Sequence, residues 1–209
     1  VLYGWIYGRC SERETYFPGQ YSPAALQQMA EYGAQANEQA AWLPLKDMPA
    51  AQIKGVPELQ FQRDLLAHID DHVYLTSIGR VEGFEQTQVP ALILTGWNDF
   101  LRDKTLYNFV EFQKRGGSEE CRKGTKLIVG PWMHGDHLER VIEGIDFGPE
   151  ASGDSFDVVG KLIAWHDWWL KGKSNAFVEG SPVWLFIMGE NRWRAENEWP
   201  LLRTRYTPY

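Results

Sequence analysis

Two side chains able to anchor or move a proton, Asp99 and His134, each follow closely on a short apolar run that ends in glycine. Asp99 closes Gly96-Trp97-Asn98-Asp99, and His134 sits in Gly130-Pro131-Trp132-Met133-His134-Gly135. An imidazole whose one nitrogen donates to a buried carboxylate is fixed in a single tautomer, and its other nitrogen can then take a proton from a nucleophile. In that chemistry Asp99 orients and His134 transfers protons. As residue types alone, the pair fits a plainer role equally well, with Asp99 capping the helix that follows and His134 an ordinary loop histidine. The remaining candidates are weaker. His134 and His137, with Asp136 between them, are too few for a zinc site, and His68, His72 and His166 are expected to pack or to face solvent. No Gly-x-Gly-x-x-Gly or P-loop is present, so no nucleotide and no cofactor is expected.

The elements needed to hold Asp99 and His134 together are legible on either side of them. Val89-Pro90-Ala91-Leu92-Ile93-Leu94-Thr95 is a continuous β-favouring run that ends at Gly96, and Lys126-Leu127-Ile128-Val129-Gly130 is a second. Uninterrupted apolar runs of this length are expected of strands covered on both faces in a parallel sheet. Between them Leu106, Phe109, Val110 and Gln113 recur at helical spacing, and Gly116-Gly117 supplies a stop. This is a β-α-β unit, in which the two strand C-termini lie at one sheet edge, where ligands and catalytic groups of α/β sheets gather. The loops carrying Asp99 and His134 must then be neighbours.

Further out, residues 1–21 are rich in aromatics and glycine and end at Pro18-Gly19, which reads as an irregular connection. Ser22 as cap with Pro23 at the first helical position, followed by Leu26, Met29, Ala30 and Gly33, predicts a helix over about 23–40, and a second helix is expected near 58–68. With Pro44, Pro49 and Pro57 dividing it, the segment 22–82 reads as a small helical subdomain, a lid or cap. After the second strand a helix is expected over about 156–171, carrying Phe156, Val159, Leu162, Ile163 and Trp169 and stopping at Lys171-Gly172. Pro182 to Met188 reads as a strand, and with Trp193, Trp199 and Thr204-Arg205-Tyr206 it suggests an all-β region opening at about 176 and running to 209.

Composition narrows the partners. The chain is 44% hydrophobic and 23% charged with a formal charge of −7, ordinary for a globular protein with enough apolar mass for a core. The mixed, net-acidic charge opposes nucleic-acid and anionic-membrane binding, and no apolar stretch is long enough to span a bilayer. Cys10 and Cys121 are too few for a disulfide framework and favour a reducing, cytoplasmic compartment. Residues 1–20 lack an initiator methionine and the regions of a signal peptide, so the sequence is expected to start within a longer chain. An open sheet and an unfinished β region are expected to leave apolar surface exposed, favouring association with a missing segment or with a second copy.

Several motifs in order resemble one family. Val89-Pro90-Ala91 leading to Gly96-Trp97-Asn98-Asp99 resembles the acid motif, and Gly130-Pro131-Trp132-Met133-His134-Gly135 the histidine motif, of the cocaine-esterase-like (CocE/NonD) hydrolases, relatives of X-Pro dipeptidyl-peptidases, cephalosporin acylases and α-amino-acid ester hydrolases. Asp167-Trp168-Trp169-Leu170-Lys171-Gly172 and the stretch Pro182 to Arg194, with Glu198-Trp199-Pro200, resemble that family's passage into a C-terminal jelly roll. The likeness covers about residues 89–209. Upstream, Tyr3-Gly4-Trp5-Ile6-Tyr7 and Arg63 to His68 are similar to the helical cap, more faintly.

The resemblance implies an α/β fold in which 1–21 connects into a helical cap (22–82), followed by the C-terminal half of an α/β-hydrolase domain (83–175) and the beginning of a β jelly roll (176–209). It implies a serine hydrolase of acyl esters or amides, with Asp99 and His134 as acid and base of a Ser-His-Asp triad and a small-molecule ester or amide as substrate. The Gly-x-Ser-x-Gly elbow of such enzymes is missing: Ser11 in Gly8-Arg9-Cys10-Ser11-Glu12 and Ser155 in Gly153-Asp154-Ser155-Phe156-Asp157 both lack the second glycine. The nucleophile is therefore expected before Val1, and residues 1–209 alone are expected to be inactive. Two alternatives stand beside this reading, an X-Pro dipeptidyl-peptidase-type peptidase and a noncatalytic binding module. The α-amino-acid ester hydrolases place acidic residues two and three positions beyond the acid to hold a substrate ammonium. Here those positions are Leu101 and Arg102, which weakens an aminopeptidase-like specificity.

Overall fold

The computed structural model describes residues 2–79, 83–135, 139–205 and 207, and divides the chain into two compact units, Val1–Glu82 and Gly83–Tyr209.

The first unit contains helices and no strand among its described residues. They are α1 (Leu2–Tyr16), α2 (Pro23–Ala34), α3 (Ala36–Ala40), α4 (Pro57–Ala67) and α5 (His72–Ile78), with short 3-10 turns at Leu45–Asp47 and Pro49–Gln52. The Ser22 hydroxyl accepts from the Ala25 N–H and Pro23 takes the first helical position, so α2 begins where its cap dictates. The periodicity read as one helix to about residue 40 is broken at Gln35, whose backbone leaves helical geometry. The irregular connection expected over 1–21 is instead the helix α1. Pro18-Gly19 marks its end, and the Glu14 carboxylate accepts from the Gly19 and Gln20 N–H groups at 2.7 and 3.0 Å to close the turn. The helix is held from within the unit: Cys10 is buried with Tyr21, Ala25, Met29, Ile53, Val56 and Leu59, and Arg13 pairs with Glu58 of α4 at 2.7 Å.

The second unit is a four-stranded sheet with helices. Its elements are β1 (Leu92–Gly96), α6 (Arg102–Arg115), α7 (Glu119–Gly124), β2 (Lys126–Gly130), the small hairpin β3 (Val141–Ile142) and β4 (Ile145–Asp146), α8 (Val158–Lys171), α9 (Ala176–Glu179), β5 (Val183–Ile187) and β6 (Arg192–Glu196). The order is β1-β2-β5-β6. β1, β2 and β5 run parallel and β6 returns antiparallel to β5, so the fold is α/β with a mostly parallel sheet. β2 is buried along its whole length, as its unbroken apolar run demands. Alternation sends Leu127 and Val129 to one face with Phe109 of α6, and Ile128 to the other with Trp132, Phe156 and the partly buried Leu92, Leu94 and Val158.

The C-terminal strands differ from expectation. Val183–Ile187 pairs in parallel with β2, Leu127 opposite Val183 and Val129 opposite Leu185, and Arg192–Glu196 extends the same sheet. These two strands therefore belong to the α/β sheet rather than opening a separate β region at 176, and no strand follows Glu196 among the described residues. Tyr206, part of the expected terminal β piece, lies outside the described residues.

Candidate active site

β1 and β2 pair in register to their last residues, Gly96 opposite Gly130, so the two chains leave the sheet side by side. Both glycines are required by a close approach. A Cβ on Gly96 would lie 1.9 Å from the Trp132 carbonyl oxygen, and one on Gly130 would lie 2.3 Å from the Trp132 ring. Trp132 is fully buried, and its indole N–H donates to Ala151 O at 2.6 Å, which pins the loop after β2. On the other loop Trp97 donates its indole N–H to Phe186 O of β5 at 2.7 Å, and Arg102 Nη1 donates to Trp97 O at 2.7 Å.

Between these anchors Asp99 and His134 meet. His134 Nδ1 lies 3.2 Å from both Asp99 Oδ1 and Oδ2. A carboxylate only accepts, so this contact puts a proton on Nδ1, and in a neutral ring the lone pair then lies on Nε2, the tautomer a general base needs. The Asp99 side chain is 8% exposed and the His134 side chain 51%, so the carboxylate is shielded while the ring faces outward. Asp99 Oδ1 also accepts from the Leu101 N–H at 2.8 Å, and Thr95 Oγ1 stands 3.5 Å from Oδ2. The helix-capping role for Asp99 is thus present in a local form, as a turn at the start of α6, alongside the contact with His134.

Two neighbours of the pair were not singled out from the sequence. The Phe100 ring rests on the imidazole, centroids 4.7 Å apart and tilted by 50°, while staying largely exposed. Asn98 bonds across to the histidine loop, its N–H to Trp132 O at 3.2 Å and its Nδ2 to Pro131 O at 2.6 Å. The available signal was their placement directly beside Asp99 in the loop that leaves β1. Leu101 and Arg102 put no carboxylate beyond the acid, and Arg102 is turned to Trp97 O and Asp103. Next to His134, Gly135 borders an apolar cavity of about 370 Å³ lined by Leu92, Leu94, Ile128, Val158, Val159 and Leu162.

The other chemistry-bearing residues are occupied elsewhere. Ser11 lies within α1, and Ser155 sits in a turn where its N–H donates to Ser152 Oγ at 3.1 Å. His68 donates Nδ1–H to Asp64 O at 2.9 Å and stacks on Tyr74, His72 lies 3.4 Å from Thr76 Oγ1, and His166 Nδ1 bonds Leu162 O at 2.8 Å. Asp136 and His137 lie outside the described residues. Among the described residues no group of three or more His, Cys, Asp or Glu is placed to hold a metal ion, and no helix is long and apolar enough to cross a membrane. Both cysteines are buried and free, and burial pushes their thiols up from the ordinary range.

Comparison with known proteins bears on this geometry. Residues 3–136 match the family model of the X-Pro dipeptidyl-peptidases (S15 family). Cocaine esterase of a Rhodococcus species is 32% identical over 142 residues, 68% of this chain and 23% of that protein. Proteins provisionally named serine esterases from Mycobacterium bovis and Mycobacterium tuberculosis are each 33% identical over 87 residues, 41% of this chain and 13% of theirs. The chain thus spans less than a quarter of the length of the curated relatives it matches.

Proposed function

This chain belongs to the X-Pro dipeptidyl-peptidase (S15) family, and on that premise we propose that it supplies the acid Asp99 and the base His134 of a Ser-His-Asp triad in a serine hydrolase of acyl esters. The family match and the likeness to cocaine esterase support reading the whole protein as a hydrolase. The observation that carries it is the approach of His134 Nδ1 to both oxygens of a shielded carboxylate at the C-terminal edge of a parallel sheet.

In this reading Nε2 takes the proton of a serine hydroxyl as the oxygen attacks the ester carbonyl. The imidazolium then gives that proton to the departing alkoxide, leaving an acyl-enzyme. Water attacks the acyl-enzyme with the same nitrogen as base, and the serine is restored. Asp99 stays ionised throughout and stabilises the imidazolium. The sequence holds no Gly-x-Ser-x-Gly elbow, so we assign the nucleophile to a segment outside residues 1–209. We assign the helical unit to the family's helical cap and put any jelly roll after Glu196, since β5 and β6 are taken by the sheet.

Esters are favoured over peptides with a free α-amine, because the loop beyond Asp99 offers Leu101 and Arg102 where an ammonium would need a carboxylate. The test is His134→Ala in the full-length protein, assayed on p-nitrophenyl acyl esters beside an aminoacyl p-nitroanilide. Loss of ester turnover by about a thousandfold or more is expected, with the unsubstituted enzyme preferring the ester. Wild-type turnover in the variant would remove His134 from the mechanism.

A further inference from the structure

We propose that Asn98 is a positioning residue of this site, one that sets the distance between Asp99 and His134 by holding the two loops together. The inference rests on the triad reading above.

The parallel ladder of β1 and β2 has its last register pair at Gly96 and Gly130, and one more backbone bond, Trp97 N–H to Gly130 O at 2.8 Å, carries it past the strands. There the regular ladder ends: the Trp97 carbonyl, which the next ladder bond would use, accepts from Arg102 Nη1 at 2.7 Å instead. Asn98 takes over. Its backbone N–H reaches Trp132 O at 3.2 Å, and its side-chain amide reaches Pro131 O at 2.6 Å. One residue thus grips two successive carbonyls of the chain that delivers His134, while its own next neighbour is Asp99.

This grip matters because the contact it governs has little slack. Both Nδ1 to Oδ distances are 3.2 Å, at the outer end of a good N–H···O bond, so a few tenths of an ångström more would forfeit the tautomer lock. The deeper anchors, Trp97 on Phe186 O and Trp132 on Ala151 O, fix each loop to its own surroundings. The two Asn98 bonds join one loop directly to the other. Asparagine suits the task through its NH₂ group at short reach. Aspartate, of the same shape, would set an acceptor against the Pro131 oxygen.

The test uses the full-length esterase and the variants Asn98→Asp, Asn98→Ala and His134→Ala, with p-nitrophenyl ester kinetics and fluorophosphonate labelling. For both Asn98 variants we expect kcat to fall about tenfold or more with KM within about twofold, since a misplaced base weakens the transition state and leaves ground-state binding alone. The rate constant of labelling should fall in parallel, with its end point unchanged. A kcat within about twofold of wild type in both variants, with His134→Ala inactive, would overturn the role of Asn98 and leave the triad standing. So would a lowered end point with normal turnover per labelled site, the mark of damaged folding. Wild-type activity in His134→Ala would instead bring down the triad reading, and the role of Asn98 with it.

Discussion

At the scale of single residues, the site depends on two glycines as much as on Asp99 and His134. Gly96 and Gly130 are where the strands release their loops, and each is packed against Trp132 so closely that a methyl group has no room. For Gly96 the obstacle is the Trp132 backbone oxygen, which cannot rotate away as a side chain can. Gly96→Ala is therefore expected to push the histidine loop off the sheet, lowering stability by about 1–3 kcal/mol and reducing ester turnover. Paired denaturation and kinetic measurements check this, and wild-type values in both would show that the loops yield more freely than their packing implies. That Asp99 and His134 would be neighbours was legible in the sequence, because both follow directly on parallel strands whose C-termini share one sheet edge. Asn98 and Phe100 were not, since their contacts depend on how two loops separated by 35 positions in the chain face one another.

At the scale of elements, continuous apolar runs with clear stops made β1, β2, α6 and α8 readable, and Ser22-Pro23 made the start of α2 readable. α1 was missed because its glycines and aromatics argue against a helix, and the ties that hold it, Arg13 to Glu58 and the burial of Cys10, come from α4 and from the chain between α1 and α4. β5 was seen as a strand, but its pairing with β2 is a long-range choice that periodicity does not encode. That pairing has its own fastener: Lys126, at the start of β2, is nearly buried and donates to Gly180 O and Ser181 O at 2.9 and 3.0 Å, just ahead of β5. Burial pushes its ammonium from the ordinary 10.5 down to about 8. Between those values the folded protein has released the proton and the unfolded chain still binds it, so stability from this group rises with pH across that window and is lost as pH falls through about 8. The neutral amine keeps two donors for its two carbonyls, so the bonds survive the change. The thermal midpoint of wild type minus that of Lys126→Met should therefore increase from about pH 8 to about pH 10. A constant difference would show that the ammonium is better solvated than its position implies.

At the scale of the whole molecule, the second unit carries a sheet that brings Asp99 and His134 together at one edge and whose apolar surface is unevenly covered. α8 is strongly apolar, yet none of its residues is fully buried; Val159, Ile163 and Leu170 are 59, 57 and 76% exposed. The groove between this helix and the sheet, bounded by Leu92, Leu94, Ile128 and Gly135, is open and apolar right up to the residue after His134. β1 has a paired neighbour on one side alone among the described residues. An unpaired strand edge beside apolar side chains of this extent attracts other chains or hydrophobic dyes. Residues 1–209 produced alone should therefore bind an environment-sensitive apolar dye and elute above monomer size, with association weakened by Ile163→Glu or Leu170→Glu. The same material should resist labelling by a fluorophosphonate, because Asp99 and His134 without a serine at an elbow have no nucleophile to activate. Labelling of the isolated chain would move the nucleophile inside residues 1–209 and require one of its own serines to approach His134. A monodisperse monomer that ignores the dye would mean that α8 is covered by this chain itself.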